Sequence, residues 1–514
     1  MLKKINKLNY LALYISLVNL VLYHFPFYKF VYENTELSSV NGIVLLSSIT
    51  ILLLILNALI FYIGLHLMKK VGKGLLVLFF NINALSLYFI NTYGVIIDKT
   101  MIGNILNTNF EESSSFFSIK MIIYLIFLGI APSILLLKTP IPEVKFKKFM
   151  VTIGLTLLFV LSLAFANSSN WLWIDKNSKT LGALVMPWSY VVNTSRFYYH
   201  KSQKNQKQIP LPNSKVTNQE KAIFVLVIGE SARSQNFSLY GYAKETNPLL
   251  SKIENVTSFK AESCATYTTA GVKCILEYKN TGKLFEVLPN YLFKNKDIDV
   301  IWRTTNWGEP TVKIKNFQDR KALKKLVNDD SYNYDEILLK GLKEQILASK
   351  KNKILVVLHT STSHGPTYFK KYPPKFNKFL PVCTSVELGN CTQNELINAY
   401  DNTILYTDYI LATLIGDLKQ LPEYHSTMLY LSDHGESLGE KNLYMHGLPV
   451  SIAPKEQLDI PFIVWVSKND DLLKNNGILS QHHVFHSVLD FLDAESPIYD
   501  QSMSIYKPKK KAKK

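Results

Sequence analysis

Cysteine is scarce in this chain: 514 residues hold four, and none stands in the C-x-x-C spacing of a zinc framework. Acidic residues are also few, 40 against 57 Lys and Arg, which leaves a formal net charge of +17. No nucleic-acid motif accompanies that charge, so nucleic acid is excluded as the partner it serves. The charged residues are absent altogether from five stretches: Tyr10–Tyr28, Ile43–Met68, Gly74–Ile97, Met121–Leu137 and Phe149–Ala166. A bilayer crossing takes roughly 20 apolar residues, with about 17 as the lower limit. Five such runs in succession exclude an ordinary soluble protein. The first is the most interrupted, by Asn19, His24 and Pro26.

What charge there is in this half sorts by loop. Lys3, Lys4 and Lys7 precede the first run, Lys69, Lys70 and Lys73 join the second to the third, and Lys138, Lys145, Lys147 and Lys148 join the fourth to the fifth. The other two loops hold Glu33, Glu36, Asp98, Glu111 and Glu112 with only Lys29, Lys99 and Lys120. The positive-inside rule then places the amino terminus in the cytoplasm and everything after Asn167 outside. No small-residue cleavage site follows the first run, which reads as an uncleaved anchor. We expect a five-helix membrane domain over 1–167, interfacial helices and linker over 168–220, a catalytic domain over 221–506 and a basic tail over 507–514. The tail suits an anionic lipid surface or simple solvation. All four cysteines lie in the outer half, and two close pairs in an oxidising compartment suggest disulfides Cys264–Cys274 and Cys383–Cys391.

Within the outer half, short apolar runs end in polar groups. Ile223–Ile228 leads to Gly229-Glu230, Val300–Trp302 to Asn306, Ile354–Leu358 to His359 with His364 beyond, and Met428–Leu431 to Asp433-His434. Strands alternating with helical runs predict a mainly parallel α/β sheet, with Ile460–Val466 as another inner strand and Asn394–Leu418 as an amphipathic helix. Ligands of such sheets gather beyond the carboxyl ends of the strands.

Glu230, Asp433 and His434 therefore converge as candidate metal ligands, and oxygen plus imidazole donors favour zinc over magnesium or calcium. Alone, Glu230 or Asp433 could equally be a helix cap before Ser231 or Gly435. A nucleophile is expected in Ser263–Cys274, ahead of a predicted helix over Ala270–Tyr278 whose N–H groups face a phosphate. Composition does not choose among Ser263, Thr266, Thr268 and Thr269.

These strings resemble the lipid A phosphoethanolamine transferases, the family that includes the mobile colistin resistance enzymes, within the alkaline phosphatase and sulfatase superfamily. The matching segments are Val227–Arg233, Asn236–Tyr242, Ser363–Tyr368, Ala399–Tyr409, Asp433–Glu440 and Tyr444–Gly447. The resemblance implies a zinc-dependent transferase of the bacterial inner membrane with its catalytic domain in the periplasm. It puts the nucleophile on Thr268 and the zinc ligands on Glu230, Thr268, Asp433 and His434, and leaves a second ion open. Phosphoethanolamine contacts fall on Asn306, His364 and His446, and lipid-donor contacts on Asn104, Thr108 and Glu112. Phosphatidylethanolamine is the implied donor and lipid A, or a related envelope glycan, the acceptor.

Some features depart from that pattern. Trp307-Gly308-Glu309-Pro310 follows Asn306 where many relatives carry Ser-x-x-Lys, and the loop lacks the usual Gly after Cys264 and Pro before Cys274. A sulfatase needs a C/S-x-P-x-R string, absent near Cys264. A glycerophosphate transferase of the lipoteichoic acid synthase type shares the five crossings and threonine nucleophile, but Ser363–Tyr368 and the paired cysteines favour the phosphoethanolamine branch. A non-catalytic membrane scaffold would have no use for the complete metal set.

Overall fold

The computed structural model describes residues 7–36, 38–108, 113–114, 116–166, 171–204, 208–327, 332–468, 473–474 and 477–508. The chain divides into two compact units, Met1–Leu106 with Phe116–His200, and Asn107–Ser115 with Lys201–Lys514.

The first unit is helical. Val40–Met68, Lys70–Tyr93, Ile119–Leu137 and Phe146–Ala166 are each long and apolar enough to cross a membrane. The first expected span differs from a single rod: Leu8–Tyr23 and Phe25–Glu33 meet at His24 with a bend of 64°. Pro26 explains the break, since it has no N–H to continue the preceding helix and is tolerated in a first turn. The third helix stops at Tyr93 rather than Ile97. In the fourth, Leu125–Ile130 is wound as a π segment just ahead of Pro132, a common way to accommodate a missing backbone donor. Buried amides tie the bundle: Asn83 Nδ2 donates to Asn19 Oδ1 at 2.9 Å, Tyr190 Oη to Asn83 Oδ1 at 3.0 Å and Asn19 Nδ2 to the Met186 carbonyl at 2.9 Å. The last two bonds also dock the helix Trp188–Lys204 and the turn at Met186 before it onto the bundle.

The second unit is α/β. Its main sheet has eight strands: β1 Ala222–Gly229, β2 Val256–Glu262, β3 Ile298–Thr304, β4 Asn316–Gln318, β5 Lys353–His359, β6 His425–Ser432, β7 Asp459–Val466 and β8 Leu479–Ser480. Their order is β8-β2-β7-β6-β1-β5-β3-β4. Most neighbours are parallel, but β7 runs antiparallel to both β2 and β6. The sheet is therefore mixed, with a reversed strand where Ile460–Val466 was expected only as an inner one. β1 and β5 are buried along their whole length, as strands with covered faces must be, and this is why they read as unbroken apolar runs. The helix Gln393–Lys419 opens with a capping box, Thr392 and Glu395 each satisfying the other's backbone N–H. Both disulfides expected from the sequence, Cys264–Cys274 and Cys383–Cys391, are formed.

Candidate active site

β1, β5 and β6 are adjacent and parallel, so their carboxyl ends lie side by side. Glu230 follows β1, His364 lies in the turn after β5, and Asp433 and His434 follow β6. Thr268 is brought to them by the Cys264–Cys274 loop. It is the first residue of the helix Thr268–Leu276, which starts two residues earlier than expected and puts the hydroxyl in the first turn.

Thr268 Oγ1 lies 3.3 Å from Glu230 Oε2 and 3.4 Å from His434 Nε2. His434 Nε2 lies 3.3 Å from Glu230 Oε1 and 3.4 Å from Asp433 Oδ2. Glu230, Asp433 and His434 could together hold a metal ion, and all three are buried. Asp433 Oδ2 is buried with no hydrogen-bond partner among the described residues, an orphan that a cation would satisfy. His434 Nδ1 faces the Gly435 carbonyl at 2.8 Å. That bond places the proton on Nδ1 and directs Nε2 toward the carboxylates.

The electrostatics are those of two carboxylates forced together out of water. Burial pushes Asp433 up to about 7, helped by the charge of Glu230. Burial also opposes ionisation of Glu230, but the bond and charge of His434 prevail and hold it well below the carboxylate range. Burial disfavours a charged His434, yet Asp433 and Glu230 outweigh it and raise it to about 10. The set demands positive charge, which a proton on His434 supplies here and a divalent cation would supply better.

Further side chains hold these groups in place. Ser231 adopts the left-handed region at φ 52°; its N–H donates to Asp433 Oδ1 at 3.1 Å and its hydroxyl to Glu230 Oε1 at 2.8 Å. Strain of this kind persists where neighbours over-determine it. Asn306, expected at the substrate, donates to Glu230 Oε2 at 2.6 Å and to the Thr360 carbonyl at 2.9 Å. Gln481 donates to the Asp433 and Ser432 carbonyls at 2.7 and 3.1 Å and accepts from the Cys264 N–H at 3.1 Å. It thus staples the loop carrying Asp433 and His434 to the loop carrying Thr268. Buried Asp335 accepts from Thr305 Oγ1, Ser361 N and Thr362 Oγ1, fixing the turn that carries His364. Neither Gln481 nor Asp335 belongs to a motif, and no sequence signal would have found them.

Around the metal set lies a second group. His446 Nδ1 is 2.9 Å from Glu436 Oε2, whose other oxygen accepts from Tyr368 Oη at 3.0 Å. The His446 ring is 4.2 Å from that of His434 and 5.6 Å from that of His364. Glu230, His364 and His446 offer another possible ligand set, as do His434, Glu436 and His446. Burial, with the charge of His434, lowers His446 below the ordinary histidine value. Asn104, in the first unit, sits in the helix Lys99–Asn107, and Thr108, the residue after that helix, falls in the second unit. Glu112 lies outside the described residues, as does the tail beyond Pro508.

Residues 37–202 match the family described as Phosphoethanolamine transferase EptA/EptB, and residues 222–494 match Sulfatase. Phosphoethanolamine transferase EptA of Helicobacter pylori is 39% identical over 96% of this chain and 96% of its own. Phosphatidylethanolamine transferase Mcr-1 of Escherichia coli is 32% identical over 83% of this chain and 84% of its own. The solved integral membrane lipooligosaccharide phosphoethanolamine transferase EptA of Neisseria meningitidis superposes with a TM-score of 0.87, covering 97% of this chain and 98% of that one at 25% identity. The likeness extends through membrane helices and sulfatase-like domain alike, making this an integral membrane protein with a periplasmic domain, and the chain belongs to the phosphoethanolamine transferase family.

Proposed function

We propose that this protein transfers phosphoethanolamine from phosphatidylethanolamine to lipid A, or a related envelope glycan, in the bacterial inner membrane with its amino terminus in the cytoplasm. The observation that carries the reading is the position of Thr268 Oγ1, 3.3 Å from Glu230 and 3.4 Å from His434 inside a buried donor set. Ligand atoms held tetrahedrally at zinc distances of about 2.0–2.1 Å stand about 3.3–3.4 Å apart. Zinc held by Glu230, Asp433, His434 and the Thr268 oxygen would lower the pKa of that hydroxyl and offset charge on the phosphoryl oxygens.

The chain's own groups divide the remaining work. Thr268 Oγ bonds to phosphorus as the phosphorus–oxygen bond to diacylglycerol breaks, and the departing oxygen takes a proton. The phosphoethanolamine-threonine ester is then attacked by an acceptor oxygen, which gives up its proton as Thr268 regains one. His364 and His446, flanking the set, would hand over these protons, a role supported by the bond from Glu436 that orients the His446 ring. Asn306 and Ser231 keep the Glu230 carboxylate from turning away. Asn104, Thr108 and Glu112 are assigned to the lipid donor on family resemblance.

Each transferred group brings an ammonium, so the envelope loses net negative charge and binds cationic peptides such as polymyxin less strongly. Thr268→Ala should abolish phosphoethanolamine on lipid A, read by mass spectrometry of cells with and without the protein, and should remove polymyxin tolerance. Undiminished modification would overturn the assignment.

A further inference from the structure

We propose that Glu309 receives the ammonium of the ethanolamine head group and makes the enzyme selective for that donor; this deepens the reading above and rests on it. The loop after β3 is pinned to the reaction centre at two points. Asn306 bonds Glu230 at 2.6 Å. Two residues on, Gly308 has φ +98° and lies so close to the nucleophile that a Cβ there would stand 3.1 Å from Thr268 Cγ2 and 3.4 Å from Thr269 Cγ2. Only glycine suits both the conformation and the approach. Glu309 is therefore the residue next to the one that touches the threonine.

Its carboxylate is mostly withdrawn from solvent, with the side chain 19% exposed. Oε2 is buried and has no hydrogen-bond partner among the described residues. The nearest cationic candidate is His359 Nδ1 at 3.7 Å, beyond hydrogen-bond range, and that nitrogen already lies 3.4 Å from Thr304 Oγ1. A buried carboxylate oxygen left unsatisfied, on the residue after the glycine that approaches Thr268, is a place for a donor that arrives with the substrate. Once phosphorus is on Thr268, the ethanolamine chain carries its ammonium two carbons beyond the phosphate oxygen. Among the atoms of that head group, the ammonium is the one cationic donor able to complete Glu309.

The test compares two donors presented to the full-length, metal-loaded protein: phosphatidylethanolamine, and phosphatidylpropanol, which has the same head-group length and no charge. Wild type should prefer the ethanolamine lipid. Glu309→Gln, of equal size, should reduce the ratio of the two kcat/KM values by at least about tenfold, through loss on the ethanolamine lipid alone. Glu309→Asp, which keeps the charge, should retain most of the preference. Metal content and Tm are measured on each variant. An unchanged ratio in Glu309→Gln overturns the proposal, and so does equal loss on both lipids. Wild type that transfers neither head group would instead defeat the functional reading itself.

Discussion

Gly271 offers a sharp test of how rigidly the threonine helix must sit against the metal-ligand loop. A Cβ at this position would stand 2.2 Å from the Asp433 carbonyl oxygen and 2.8 Å from its carbon. Carbon and carbonyl oxygen tolerate about 3.3 Å at closest, so Gly271→Ala must part the two segments by about 1 Å. The obstacle is backbone on both sides, and the oxygen that would be struck is the one Gln481 holds at 2.7 Å. A side-chain rotation therefore does not relieve it. Overpacking of this kind costs about 1–3 kcal/mol of stability, and a displacement of about 1 Å at a reacting group costs about 100-fold in rate. The assay measures phosphoethanolamine transfer, bound zinc and Tm on the purified protein. Gly416→Ala serves as control, because nothing lies within 4 Å of a Cβ there. We expect the control to be active and the Gly271 variant to fold, with transfer reduced by about two orders of magnitude. If Gly271→Ala transfers at a rate within about threefold of the control, the close contact does not set the geometry and the argument fails.

Gln481→Leu would leave the Ser432 and Asp433 carbonyls and the Cys264 N–H without their partner. Each such loss costs about 1–3 kcal/mol when buried, so Tm and transfer should both fall, and a wild-type Tm would refute the staple. Asp408 accepts from the N–H groups of Leu249 and Leu250, yet burial raises it from the ordinary 3.8 to about 6. Because the folded form holds its proton more tightly, the stability gained is full below pH 3.8 and lost as pH rises through 6, up to about 3 kcal/mol. In denaturant titrations of wild type and Asp408→Asn, the difference between the two should change over this window, and a constant difference would contradict the sign.

Much of this site was written in the sequence because β1, β5 and β6 are covered on both faces. Unbroken apolar runs marked them, and the polar residues that stopped each run were those gathered at one end of the sheet. The adjacent Asp433-His434 pair was legible for that reason. Thr268 was not: four hydroxyls share its loop, and only family resemblance singled it out. Gln481 and Asp335 stayed hidden because their role depends on chain segments far away in sequence meeting them. The same holds for the reversed direction of β7, since an inner strand shows the same apolar pattern whichever way it runs. At the membrane end, Pro26 signalled an interruption, but a composition scan does not say whether a proline within an apolar run bends a helix or ends it.

The donor atoms of the proposed centre come from Glu230, Thr268 and the Asp433-His434 pair, all in the second unit. A chain delivered from its amino terminus onward offers an isolated glutamate, then a threonine, for a long interval before the last two arrive. The proposed cage is incomplete until His434 has crossed the membrane. On the proposed centre, loading would follow export, the ion would be drawn from the periplasm, and scarcity of zinc there would silence the enzyme without any change in how much protein is made.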